Sequence, residues 1–110
     1  MLPASVRILV CTQPQDMRRS FDMLAQVVRE LGEDPQSGAL YVFTGKSPAR
    51  VKVLWWDRNG YCLLYKRLHG ALVRRPEGSG PSVQIDAKGL AEILAGVAVD
   101  KIDRSRKDLH

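Results

Sequence analysis

The hydrophobic positions along this chain change period twice. Val6 to Cys11 reads Val-Arg-Ile-Leu-Val-Cys, a short apolar run with the β-branched content of a strand. Apolar residues then recur at Met17, Phe21, Leu24, Val28 and Leu31, while Arg18, Arg19, Asp22, Gln26, Arg29 and Glu30 fall mainly on the other side. That spacing predicts an amphipathic helix over about residues 16–31. Asp16 stands where an N-cap carboxylate would take up free backbone N–H groups, Gly32 where the helix would end, and Pro35 just beyond. From Ala39 the period falls to two. Ala39–Thr44, Arg50–Asp57 and Tyr61–Leu68 read as strands, with Asn59-Gly60 as a tight hairpin turn because both residues tolerate positive φ. His69-Gly70 marks another turn, Ala71–Arg75 and Val83–Ile85 are shorter strands, and Pro76 to Pro81 is loop chemistry. Asp86 is placed to cap a second helix over about residues 87–97, buried through Leu90, Ile93, Leu94 and Val97. The expectation is a single α+β domain over residues 1–99, an antiparallel meander of about five to six strands with a helix near each end. The charged residues 100–110 form an expected flexible tail.

Alternation also assigns faces to the central hairpin. A two-residue loop at Asn59-Gly60 puts Lys52 opposite Arg67, Leu54 opposite Tyr65 and Trp56 opposite Leu63. One face then carries Val51, Val53, Trp55, Cys62, Leu64 and Leu68, with Lys66 the charged exception, and is a core face. The other carries Lys52, Leu54, Trp56, Arg58, Tyr61, Leu63, Tyr65 and Arg67, a mixture of aromatic rings and cations. Like charges directly opposite each other are unfavourable, and a phosphate between Lys52 and Arg67 would relieve them. Rings can stack on bases while cations neutralise the backbone, and a two-stranded ribbon can enter the major groove of DNA. The competing expectation is that a helix covers this face and the long cations reach out from its rim.

Composition narrows the class. The 110 residues are 45% hydrophobic and 26% charged, the balance of one soluble globular domain. No apolar run is long enough to span a bilayer, and the first residues show no basic patch followed by an apolar stretch, so a cytoplasmic protein is expected. Cys11 and Cys62 are expected to be reduced thiols. The 17 basic and 12 acidic residues leave a net charge of +5, and its distribution is uneven. Lys46, Arg50, Lys52, Arg58, Lys66, Arg67, Arg74 and Arg75 stand against Asp57 alone in residues 46–75, while the segments on either side are each net −1. Such a concentrated field is the electrostatic footprint of nucleic-acid binding, or else a solubilising surface.

The residue types for catalysis are not arranged for it. His69 and His110 are not in a ligand-spaced cluster, and both cysteines lie in apolar strands. Gly45-Lys46-Ser47 resembles the end of a phosphate loop but lacks the upstream glycine. Asp16, Asp22 and Asp57 offer a carboxylate set for a metal-dependent nuclease, or more simply a cap, a helix surface and a turn. No catalytic residue, metal or cofactor is expected.

Three blocks of wording carry a resemblance. They are Asp16-Met17-Arg18-Arg19-Ser20-Phe21-Asp22-Met23-Leu24, then Asp34-Pro35-Gln36-Ser37-Gly38, then Val51 to Leu68 with its Lys52-Val53-Leu54-Trp55-Trp56-Asp57 and Tyr65-Lys66-Arg67-Leu68. In this order and spacing the chain, from about residue 5 to 98, resembles the TnpB-type accessory proteins encoded by transposable elements of insertion sequence family sixty-six. Ser20 departs from an expected glycine, and Arg58-Asn59 replaces a smaller, Gly-containing turn. The resemblance implies a bacterial protein that assists transposition beside a separate transposase and contributes no catalytic residues. Joined to the charge pattern, it gives the leading expectation: a non-catalytic factor binding DNA, such as element ends, through Lys46, Arg50, Lys52, Arg58, Lys66, Arg67, Arg74 and Arg75, with Arg18 and Arg19 as additions or as partners of Asp22. The alternative is an interaction adaptor in which Trp56, Tyr61 and Tyr65 form a hot spot for the transposase or for a second copy in a homo-oligomer.

Overall fold

The structure, a computed structural model, describes residues 6–99. Seven strands and two helices follow one another as β1 (Ile8–Cys11), α1 (Phe21–Glu30), β2 (Leu40–Thr44), β3 (Arg50–Asp57), β4 (Gly60–Arg67), β5 (Ala71–Leu72), β6 (Ser82–Ile85), α2 (Ala87–Ala95) and β7 (Val97–Ala98). The class is α+β, as expected. The main sheet has the order β4-β3-β2-β1-β6, and β5 pairs with β7 in a small separate ribbon. The expected charged tail over residues 100–110 lies outside the described residues. No described helix is long and apolar enough to cross a membrane.

The meander expectation needs correction. β2, β3 and β4 do run antiparallel in sequence, but β1 pairs with β2 in parallel, Ile8 beside Leu40 and Val10 beside Val42. α1 is therefore a crossover connection, which parallel neighbours require because no short turn can join them. β6 then closes the far side of β1 in antiparallel register.

Both faces of the sheet are covered, and alternation along the strands explains how. Leu9, Cys11, Tyr41, Phe43 and Leu54 pack with Leu24, Ala25, Val27 and Val28 of α1. Ile8, Val10, Leu40, Val42, Val51 and Val53 pack with Leu90 and Ile93 of α2 and with Leu68 and Val73. β1 and β2 are consequently apolar at nearly every position, as strands buried on both sides must be.

Helix boundaries follow local chemistry. Asp86 caps α2, its carboxylate accepting from Gly89 N at 2.8 Å. α2 stops at Gly96, so Val97 is a strand residue and not helical. α1 begins at Phe21 rather than near Asp16; Ser20 is the N-cap and makes no side-chain cap bond. Asp16 instead closes the preceding turn, accepting from Arg18 N at 2.9 Å. The strand expected over Ala71–Arg75 is limited to Ala71–Leu72, because Val73 N is drawn away to Pro48 O.

Gly96 has φ 71° and ψ −177°, a backbone region that glycine alone occupies freely. A Cβ there would sit 2.9 Å from Leu72 O and 2.9 Å from Leu68 Cδ1. Gly96→Ala is therefore expected to cost about 2–3 kcal/mol by adding backbone strain to a clash. Urea unfolding should show a lower midpoint with an unchanged slope.

Candidate nucleic-acid interface

The central hairpin turns one position earlier than the Asn59-Gly60 signal predicts. Asp57 pairs with Gly60, so the loop is Arg58-Asn59, with Arg58 at φ 52°. Every cross-strand partner moves by two, which leaves each side chain on its expected face. Trp56 now meets Tyr61, Leu54 meets Leu63, Lys52 meets Tyr65 and Arg50 meets Arg67. The Trp56 and Tyr61 rings stand edge to face at 5.0 Å.

The mixed face is not open along its length. Leu54 is fully buried beneath α1, and Tyr61 and Leu63 pack against the same cluster. Lys52, expected on an exposed surface, is only 5% exposed. Its Nζ donates to Arg19 O at 2.5 Å and lies 4.6 Å from the centre of the Tyr65 ring. Burial holds this amine below its ordinary value of 10.5, an effect that Asp16 partly opposes. Lys52 thus ties the β1–α1 connection to the sheet, and its amine is turned inward and not presented to an approaching phosphate.

The remaining cations divide among four places. Arg50 and Arg67 lie opposite each other where β3 begins and β4 ends. Lys46, Ser47 and Arg50 line a hollow of about 240 Å³ with Gln15, Asp16 and Arg18. Two backbone ties hold this corner: Gln15 N donates to Thr44 O at 2.8 Å, and Gly45 N to Arg50 O at 3.0 Å. Gly45 permits the close approach, since a Cβ there would come within 2.8 Å of Met17 Cγ. Arg75 reaches Gly45 O at 3.1 Å but is half-buried, and with Arg74 it lines a different hollow beside Glu77 and Glu92 of the α2 side. Lys66 turns to the end of α2, donating to Leu94 O at 2.7 Å. Arg58 sits at the far end of β3, about 25 Å from Arg50 at some 3.3 Å per residue.

The structure therefore brings together Lys46, Arg50 and Arg67, with Arg18 beside them, and disperses the rest. Among the described residues the ion pairs are Arg7–Glu33 at 3.1 Å and Arg18–Asp16 at 2.7 Å. The Arg18 guanidinium and backbone N–H hold the Asp16 carboxyl well below the usual carboxylate range. Lys46, Arg50 and Arg67 have no carboxylate within ion-pair distance among these residues. Tyr65, 49% exposed, stands on the same face, one pair along from Arg67. Phe21, assigned by periodicity to the buried stripe of α1, is 43% exposed at its first turn. Gln13 and Gln15 were not singled out in the sequence. They line a polar cleft of about 540 Å³ with Thr12, Arg19 and Lys46, and Gln15 Oε1 accepts from Arg19 Nη1 at 2.9 Å. Their only sequence signal is position, at the carboxyl end of the first strand, where open sheets that contain parallel strands tend to place ligands.

Fold and surface together define a small sheet protein with an exposed cationic corner and no convergent set of three metal-ligating side chains among the described residues. The chain belongs to the family described as IS66 Orf2 like protein, whose pattern matches residues 6–104. Membership ties it to insertion sequences and to transposition. Two similar proteins come from Sinorhizobium fredii (strain NBRC 101917 / NGR234). The uncharacterized protein y4hO is 38% identical over 100 residues, spanning 88% of this chain and 87% of its own. The uncharacterized protein y4jC is 29% identical over 100 residues, spanning 90% and 86%. No solved structure matches the chain.

The buried amine carries a pH prediction. Because native Lys52 gives up its proton below 10.5, the unfolded chain binds more protons than the native one in the window below that value. Stability contributed at this site therefore rises with pH through the window. Lys52→Met removes the dependence. Wild type should gain stability relative to the variant between neutral pH and about pH 10, measured by urea unfolding of both. A difference that stays flat with pH would show that Lys52 is not a buried cation.

Proposed function

We propose that the protein is a non-catalytic accessory factor of its insertion sequence that binds DNA through the corner formed by Lys46, Arg50, Arg67 and Arg18. The supporting observation is the Arg50–Arg67 opposition. Two arginines stand directly opposite each other on neighbouring strands with no carboxylate in ion-pair range among the described residues. Such a pair costs free energy in water and is relieved when a phosphate bridges it, most effectively in bidentate geometry. Tyr65 offers a ring beside the phosphate path for a sugar or an unstacked base. The reading assigns no base-specific contact, so the corner supplies affinity and orientation and leaves sequence choice to DNA shape or to a partner.

A second reading, contact with the transposase through Trp56, Tyr61 and Tyr65, is favoured by the structure only at Tyr65. Trp56 and Tyr61 are half-buried and engaged with each other, which leaves little of either ring to offer.

Binding of element-end DNA should weaken as salt rises, with a slope near −0.9 per phosphate neutralised. The Arg50→Glu/Arg67→Glu double variant is expected to lose affinity at least about tenfold and to flatten the slope by about two contacts. Arg58→Glu, at the opposite end of the hairpin, should leave the slope close to wild type. Equal losses in both variants, or no binding at ~50 mM salt, would remove the corner from consideration.

A further inference from the structure

β4 is the long, unguarded edge of the main sheet. It runs eight residues from Gly60 to Arg67 without proline and, among the described residues, pairs on one side only, with β3. The opposite edge, β6, has four residues bounded by Pro81 and Asp86, the kind of short, blunted edge that proteins use to avoid stray pairing. The ladder fixes which β4 groups are unused. Asp57 and Gly60 flank a two-residue loop, and Leu68 N donates to Ala49 O, so the even-numbered residues of β4 bond to β3. The N–H and C=O groups of Tyr61, Leu63, Tyr65 and Arg67 consequently aim away from the sheet. Leu64 and Tyr65, two of the large apolar side chains left exposed at 39% and 49%, sit at the middle of this stretch.

We propose that β4 pairs antiparallel with β4 of a second copy of this chain, about a two-fold axis at Leu64, joining two five-stranded sheets into one continuous sheet. Parity permits this register, and the exposure of Leu64 selects it. Residues with outward backbone groups must oppose one another, and a centre at Leu64 sets Leu63 against Tyr65 and Tyr61 against Arg67 of the second copy. Leu64 then meets its own counterpart in a close, non-hydrogen-bonded pair on the α2 side. There it extends the apolar groove that Leu64 already lines with Val53, Trp55, Leu90 and Leu94.

Charge sets the orientation of the two copies. The cations of β4, Lys66 and Arg67, lie together at one end, and the strand has no acid. Parallel pairing in register would stack them on themselves. The antiparallel arrangement sets Lys66 against Cys62 and Arg67 against Tyr61, so no like charges meet. The proposal stands apart from the DNA reading: it uses outward backbone groups and Leu64, whereas the corner uses side chains on the α1 face.

Sedimentation of the full-length protein should show a dimer at concentrations up to ~100 µM. Leu64→Lys and Leu64→Glu each place like charges at the axis and should raise the dissociation constant at least about a hundredfold, while an equimolar mixture of the two recovers a dimer. Circular dichroism and urea midpoints close to wild type would show that the variants remain folded. In a Cys62→Ser background, Leu64→Cys should oxidise to a cross-linked dimer and Leu63→Cys should not, because only position 64 meets itself across the axis. A monomeric wild type, a dimer indifferent to charge at position 64, or cross-linking at 63 in preference to 64 would each overturn the proposal. So would a monomer that takes up a synthetic acidic β-strand peptide along β4.

Discussion

The constraint on which the rest depends is the two-sided burial of the central strands. β1 and β2 lie between α1 and α2, and each of their side chains except Thr44 belongs to one core layer or the other. An interior of this kind is costly for polar groups, and the Tyr41 hydroxyl is accommodated there by Ser37 and the Asp34 carbonyl. Functional groups are thereby displaced to the ends of the strands and to the sheet edge. The crossover through α1 directs this displacement. It carries the chain from the carboxyl end of β1 over the start of β3, and so delivers Asp16, Arg18 and Arg19 to the end where Lys46, Arg50 and Arg67 emerge.

Lys52 is the charged exception inside the apolar frame, and it ties the corner together. Its ammonium is nearly enclosed, with the Arg19 carbonyl and the Tyr65 ring as partners in place of a carboxylate. A carbonyl dipole and a ring face compensate a charge only in part, which is why burial still pushes the amine down. When protonated, the amine lies one ladder step from the Arg50–Arg67 pair and adds to the local positive potential.

Much of this was legible in residues taken singly and little of it in residues taken as neighbours. Period-two alternation from Ala39 onward assigned every hairpin side chain to its observed face, even though the turn itself was placed one position late. Asp86 followed by an apolar stripe marked α2. The parallel pairing of β1 with β2 was hidden because alternation reports faces and not adjacency, and a ten-residue helix suits either an antiparallel return or a crossover. The start of α1 was misread for a similar reason. An aspartate taking up a backbone N–H looks the same in a one-turn loop as at a helix N-cap, and Asp16 does the former. The basic segment was overcounted because nearness along a strand is not nearness in space. Consecutive residues point to opposite faces, so Arg67 joins the corner while Lys66 turns to α2.

The corner and the β4 edge share a strand without competing for atoms. Arg67 contributes its guanidinium to one and its backbone to the other, and Tyr65 likewise divides ring from amide. Two-fold pairing at Leu64 would set the Arg67 positions of the two copies six residues apart along the strands, about 20 Å at some 3.3 Å per residue, with both corners on the face that carries α1. Neither corner alone has a concave surface to enclose a duplex, and a few phosphate contacts give only weak, salt-sensitive binding. Two corners fixed on one rigid sheet would engage the same DNA with a high effective concentration for the second contact. Repeating the cationic corner across the β4 edge would thus raise affinity without any new contact in either copy.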